Sequence, residues 1–414
     1  MKDCIDLIIR ARARRLIVAG ASVVLVQALA GQDAASVSRQ SAVEAALSRG
    51  ARLAAATADT LAGAAQLAFA RQWQNPTVSV SYSKDIPQHH VALELPLDLP
   101  YIRGPRIASA QAAQRAVRSR FVYERASVAM DADTAYTRAL AARALVELSV
   151  RNAHDADSLR RMALARRDAG DASDMDVALA TITAGQAAND AAADSLTLHS
   201  ALLDLQIVMG ITGRQVRIAL TDSLTMPPLA PTASDGRPLA VASAADQLEA
   251  AALALRVEKR SVIGQPAITA GWDSGDPTGD TKGRLPMFGV ALPIPLFNRN
   301  TAAISVAQAE EARARAELSL VTVMSRTERE RAEREYAAAR ARLERDEQLV
   351  AQAERVASMA LTAYREGALG MASVLEARRA ARDVLAQRVR DAADAWVAVA
   401  ELKVLTLAAP PPAP

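Results

Sequence analysis

One pattern is written twice in this chain, and the repetition narrows the architectures open to it more than any other feature. Near the start, Asn75-Pro76-Thr77-Val78-Ser79-Val80 leads into an alternating segment, then Leu95-Pro96-Leu97, then a long alanine-rich stretch. In the second half, Gln265-Pro266-Ala267-Ile268-Thr269-Ala270 leads into another alternating segment, Ile294-Pro295-Leu296 and a second such stretch. The phase holds far downstream. Gly170 in Asp168-Ala169-Gly170-Asp171 and Gly367 in Arg365-Glu366-Gly367-Ala368 lie 197 positions apart (367 − 170), as do Ala110-Gln111-Ala112 and Ala307-Gln308-Ala309. Each copy is expected to be a strand pair followed by a long helical hairpin.

Residues 1–30 have the form of an export signal: Arg10, Arg12, Arg14 and Arg15 precede an apolar run from Leu16 to Leu29, which ends in Ala28-Leu29-Ala30. The run is shorter than the roughly 20 apolar residues a membrane anchor needs, so cleavage before Gly31 is expected. The lone cysteine, Cys4, precedes the run and would be lost with it. No later segment is expected to be a transmembrane helix, because the alanine-rich stretches carry Arg, Asp or Glu every few residues. Only strands are then left to enter a membrane. The net charge of +3, from 49 basic and 46 acidic residues, gives no footprint for nucleic acid. The densest charge run, Arg326 to Glu347, balances Arg against Asp and Glu and fits a solvated helix face with i,i+4 pairs. With 51% hydrophobic but only 3% aromatic residues, alanine carries the apolar count, which suits helices packed closely side by side.

Ser41-Ala42-Val43-Glu44 has the form of a capping box opening a helix to about Gln72. The period then changes to two. Val78, Val80 and Tyr82 alternate with polar residues; after a turn at 84–87, Val91, Leu93, Leu95, Leu97 and Leu99 alternate with Ala92, Glu94, Pro96, Asp98 and Pro100. In the second copy Ile268, Ala270 and Trp272 share one face. After a loop at 274–283, Phe288, Val290, Leu292, Ile294 and Leu296 share another. Such alternation also fits a half-buried soluble sheet. The aromatics favour lipid: Trp73, Tyr82, Tyr101, Trp272, Phe288 and Phe297 crowd near the strand ends with an aliphatic band between them, as in the girdles of a membrane barrel. Four strands cannot close such a barrel, since about eight is the minimum. Strands facing lipid would therefore have to be shared between chains, and three chains supply twelve.

From about Arg106 to Ala169, and from Thr301 to Glu366, the helical pattern contains neither glycine nor proline. At ~1.5 Å per residue these stretches run on the order of 90 to 100 Å, a length belonging to coiled-coil-like assemblies. Tyr336, Leu343, Val350, Ala357 and Tyr364 recur every seventh residue. Return helices are expected at about Ser173 to Gly210 and Met371 to Thr406. The resulting boundaries are signal 1–30, first repeat 31–225, Pro-rich linker 226–238, second repeat 239–406 and a disordered tail 407–414.

The Asn-Pro strand entry, the Leu-Pro-Ile-Pro-Leu-Phe-Asn-Arg-Asn run from Leu292 to Asn300, and the paired Gly-x-x-Ser and Tyr-x-x-Gly hairpin turns resemble TolC-type outer-membrane efflux proteins over about residues 40–405. The resemblance implies a mainly α fold with a small β part. Two repeats of strand pair and helical hairpin would assemble as a homotrimer into a 12-stranded outer-membrane β-barrel, continued by a periplasmic α-helical barrel. It also implies the exit duct of a tripartite pump, with a periplasmic adaptor and an inner-membrane transporter as partners, no cofactor and no catalysis. By the same resemblance the hairpin turns form the entrance. Glu376, in Val374-Leu375-Glu376-Ala377, would line its constriction, while Asp176 and Tyr364 would link across it. Leu369 stands where an arginine often braces the closed state, and Ser373 replaces a second ring acid. Asp171, Ala172, Leu369 and Gly370 would meet the adaptor. The segment from Leu97 to Arg106 resembles the heavy-metal branch, which implies metal ions as cargo.

Taken without the resemblance, Glu376 is equally a solvated helix residue and Tyr364 a seam residue, whereas Gly170 and Gly367 suit turns that need positive φ. His89, His90, His154 and His199 lack the convergent partners of a metal site. A periplasmic adaptor also carries long hairpins, but normally one, flanked by Gly- and Val-rich domains that are missing here. A soluble coiled-coil scaffold is the third possibility.

Overall fold

The computed structural model describes residues 35–213, 215–216, 218–231, 236–274 and 284–409. The expected signal, the loop at 275–283 and the tail at 410–414 lie outside the described residues. The chain opens with β1 (Ala35–Val37) and α1 (Arg39–Arg49). The capping box lies three residues earlier than the sequence suggests: Ser38 Oγ accepts from the Ser41 N–H at 3.2 Å, and Ser41 Oγ accepts from the Ser38 N–H at 2.8 Å. Glu44 instead accepts from Gln40. The single helix expected as far as Gln72 breaks at Gly50, where the backbone is extended, and resumes as α2 (Ala51–Arg71). By length and composition α2 could cross a membrane, contrary to the sequence expectation, but it packs along the next long helix.

Strands β2 (Thr77–Tyr82) and β3 (His89–Pro96) lead into α3 (Pro100–Asp168), whose 69 residues give a length of about 100 Å. This helix starts before the expected Arg106, with Pro100 in its first turn, where a missing N–H costs no bond. Arg103 and Arg106 explain why Gly104 and Pro105 do not delay it. They donate to the Arg71 and Ala70 carbonyls at 2.9 and 3.1 Å, satisfying the end of α2, and Arg106 also holds the buried Asp98 at 2.6 Å. The segment Leu97–Arg106 thus closes the corner between sheet and helix.

A glycine turn joins α3 to α4 (Asp174–Val208), and β4 (Ile218–Leu220) returns to pair in parallel with β1. The second copy follows: α5 (Leu239–Arg260), β5 (Ala267–Ser274), β6 (Leu285–Ala291), α6 (Thr301–Arg365) and α7 (Met371–Thr406). The last strand ends at Ala291, short of the expected Leu296, because Pro293 and Pro295 have no N–H to continue a ladder. Residues Leu407–Ala409, expected within a disordered tail, pair with the chain around Pro238.

The strands form one antiparallel sheet in the order β2-β3-β5-β6, so the two copies join through β3 and β5. Gly271 makes that approach possible, since a Cβ there would lie 2.3 Å from the Val91 carbonyl oxygen. Below the sheet, α2 and α5 pack on α3 and on α3 and α6 respectively; farther down, α7 lies between α3 and α6 while α4 flanks α3. Halfway along, a clasp holds the N-terminal strand and linker to the long helices. Tyr136 Oη sits 2.9 Å from both the Val37 carbonyl and the Asp222 carboxylate. Arg39 pairs with Asp133, bonds Thr137 and lies 3.9 Å over the Trp396 ring. Nothing in the sequence pattern pointed to this clasp.

On α6, buried or half-buried positions Ala332, Tyr336, Ala339, Leu343, Asp346, Val350, Ala357 and Tyr364 follow a three-four spacing, which contains the heptad read from sequence. Asp346 is the anomaly. It was expected on the solvated charge run, and although four i,i+4 Arg–Glu pairs do line that face, Asp346 is only 7% exposed and faces Asp391 of α7. Burial, and then the neighbouring Asp391, raise the affinity of Asp346 for a proton. Burial acts on Asp391 as well, but its hydrogen bonds to Arg342 (2.6 Å) and Gln387 (3.0 Å) prevail and hold it below the usual carboxylate range.

A group whose folded pKa is raised contributes stability fully below its unfolded pKa and loses it as pH rises through the folded value. Melting followed by circular dichroism should therefore weaken as pH climbs through the Asp346 transition. Asp346→Asn should flatten that stretch of the profile. Superimposable profiles for the two proteins would remove the Asp346 proton from the account.

Candidate functional site

The two helical hairpins come together at their turns, far from the sheet. Both turns use the same device. Gly170 (φ 87) and Gly367 (φ 78) take the left-handed conformation, and the next residues, Asp171 and Ala368, donate at 2.8 Å to the Arg166 and Ala363 carbonyls, each five residues back. Alanine at either glycine should cost about 1 kcal/mol, because positive φ is strained for a residue with a Cβ, and asparagine should cost less. Melting temperatures of the four variants check this ordering.

Beyond the turns the copies diverge. Ser173 caps α4, its hydroxyl accepting from the Asp176 N–H at 3.1 Å while the Asp176 carboxylate receives the Ser173 N–H and hydroxyl at 3.2 and 2.9 Å. The first turn of α7, after Gly370, has no side-chain cap. Tyr364 is 3% exposed, packed with Leu159, Ala163, Ala180, Met371 and Val374, and its hydroxyl is buried without a hydrogen-bond partner. Burial raises the phenol pKa, Arg166 opposes that shift, and the nearby charge of Asp176 adds to it. Asp176 and Tyr364 are thus neighbours, but the carboxylate is committed to the helix cap and makes no hydrogen bond to the hydroxyl.

The contacts across the two hairpins come from residues the sequence did not single out. Arg166 of α3 donates to the Tyr364 carbonyl at 2.5 Å and lies 4.8 Å over its ring, bracing the second hairpin from the first. It supplies a cation where Leu369 cannot; Leu369 itself is half-buried against the Tyr364 cluster. From α7, Arg378 pairs with Asp155 of α3, and Arg382 reaches Asp190 of α4 at 3.0 Å. These pairs are partly exposed, so each alone contributes modestly. No local signal marks them, because isolated Asp and Arg on long helices look like ordinary solvated charge.

A polar cleft of about 570 Å³ lies between α3, α4 and α7. Glu376 stands exposed on it beside Arg378, Arg379 and Arg382, so the field around this acid is mixed. Of the residues expected to meet an adaptor, Asp171 and Gly370 are exposed, as are Gly170 and Gly367, whereas Ala172 and Leu369 are half-buried.

No protein-family sequence model and no curated protein sequence matches the chain. Its fold does match solved structures. A membrane protein from Pseudomonas aeruginosa superposes with a TM-score of 0.76 at 18% identity, over 91% of this chain and 92% of that one. CusC, described for conformational changes accompanying folding and transmembrane channel formation, gives 0.74 at 15% identity, over 90% and 92%. The outer membrane protein VceC from Vibrio cholerae gives 0.71 at 18% identity, over 89% and 96%. The chain has the mostly helical fold, with a small sheet, of TolC-type outer-membrane channels.

Proposed function

We propose that the chain is the exit duct of a tripartite efflux system, in which three copies form a channel through the outer membrane and the periplasm. The observation that carries this reading is the sheet. Val78, Val80, Leu93, Leu95, Phe288 and Val290 lie on one face, between 43% and 81% exposed, and β2 and β6 each have an unpaired edge. In lipid an open edge costs several kcal/mol per unsatisfied group, so such a face requires closure. Three copies, β6 of one beside β2 of the next, give twelve strands and leave no edge. The side helices fit the same arrangement, with Ile182 and Leu196 on α4 and Leu320, Val323 and Leu349 on α6 exposed and available to neighbouring copies. The named outer-membrane channels that share this fold support the location, and the export signal expected over residues 1–30 agrees with it.

The hairpin turns form the periplasmic entrance in this reading, with Gly170, Asp171, Ala172, Gly367, Leu369 and Gly370 presented to an adaptor, and Glu376 on the constriction. Solutes expelled by an inner-membrane transporter pass through without chemistry. Asp176 and Tyr364 belong to the gate, together with the Arg166, Arg378 and Arg382 contacts that hold the hairpins against each other. Recovery of the protein in the soluble periplasm on fractionation would sink the duct in favour of an adaptor or scaffold. In planar bilayers, Asp155→Ala with Asp190→Ala should raise single-channel conductance severalfold, and Asp176→Ala or Tyr364→Phe should raise it less. Conductance unchanged in all of them would leave the gate unsupported.

A further inference from the structure

We infer that Glu94 makes the inner face of the sheet selective for cations, so that the duct favours cationic over anionic solutes where the sheet meets the helical part; this rests on the duct reading above. The strand register supplies the argument. With the apolar residues turned to lipid, the opposite face holds four rows. The one nearest the helices is Pro96, Ala267 and Ala291; the next crosses the sheet as Thr77, Glu94, Thr269 and Gly289; then come Ser79, Ala92, Gly271 and Met287, and outermost Ser81, His90, Asp273 and Leu285. No lysine or arginine occurs in the four strands, whose only carboxylates are Glu94 and Asp273.

The two acids differ in their surroundings. Asp273 is engaged by the His90 ring at 2.9 Å, whose other nitrogen lies 3.4 Å from Ser83 Oγ. Glu94 is exposed, and its cross-strand neighbours are two threonines. Gly289 beyond Thr269 adds no side chain that could cover it. In a barrel of three copies, three such carboxylates share one level, about 13 Å along the strand from the His90 row. Fixed charges of one sign in a low-dielectric wall concentrate counter-ions, and salt screens the effect beyond roughly 10 Å. The selectivity is therefore strongest at low ionic strength. The entrance differs, since Glu376 shares its cleft with arginines, whereas Glu94 faces no basic side chain within the strands.

The test uses the full-length protein in planar bilayers with hexaamminecobalt(III) as a trivalent blocker. The long helical part cannot cross the bilayer, so it stays on the side of addition and defines the two faces. The blocker should close wild-type channels from the barrel side, and Glu94→Gln should raise the blocking concentration there by roughly tenfold. Glu94→Lys, in channels whose insertion shows that the trimer forms, should abolish barrel-side block. Barrel-side block unaltered in both variants overturns the inference and leaves the duct intact. A folded wild-type protein that forms no channels overturns the duct itself.

Discussion

The pairing of β3 with β5 is the contact on which the rest of this structure depends. It joins the two copies edge to edge, from His89 opposite Ser274 to Pro96 opposite Ala267, and so turns two strand pairs into one sheet. Because side chains alternate along a strand, this register places Val91, Leu93 and Leu95 with Ile268 and Trp272 on one face and Glu94 with Thr269 on the other; a slip of one residue would mix them. The same pairing leaves β2 and β6 as the two free edges and sends α3 and α6 away from the sheet with α5, and farther down α7, packed between them. Gly271 is the small-scale condition for all of this, since a side chain there would meet the Val91 carbonyl.

Long alanine-lined helices pack closely but specify register weakly, because alanines at successive turns are nearly interchangeable. The polar features inside the helical part answer that weakness. Asp346 sits in the seam against Asp391, which Arg342 reaches across from α6, so a shift of one turn between the helices would take that guanidinium away from a buried acid. The clasp around Tyr136, Arg39 and Asp222 does the same for the N-terminal strand, where burial and the Asp222 hydrogen bond hold the Tyr136 phenol above its usual pKa. Both features cost desolvation and return a unique arrangement, a trade that an apolar seam of small residues could not make.

At the other end the two copies cease to be equivalent. Their glycine turns are built alike, but only the first has a capped following helix, and only the second has a buried tyrosine beside its glycine. The cations that cross the junction, Arg166 from the first copy and Arg378 and Arg382 from the second, make the hairpins dependent on each other while leaving the turns exposed. These pairs are partly exposed, so each contributes modestly alone, and together they tie one hairpin to the other.

The sequence by itself determined the elements and their duplication: alternation with aromatic ends for the strands, unbroken helical period for the hairpins, and glycine at both turns. These are local properties, set by backbone sterics and by the side-chain period of each element. It misplaced boundaries where a neighbour in space decided them. The first cap moved to Ser38, α3 began at Pro100 because Arg103 and Arg106 satisfy the end of α2, and Asp346 left the solvated face for the seam. The contacts between the two hairpins were illegible for the same reason, since Arg166 and Tyr364 lie 198 residues apart and meet only once both hairpins have packed. The tertiary structure alone decided which charges are paired and which, like Glu94, stand free, because partnership between distant residues depends on register across elements.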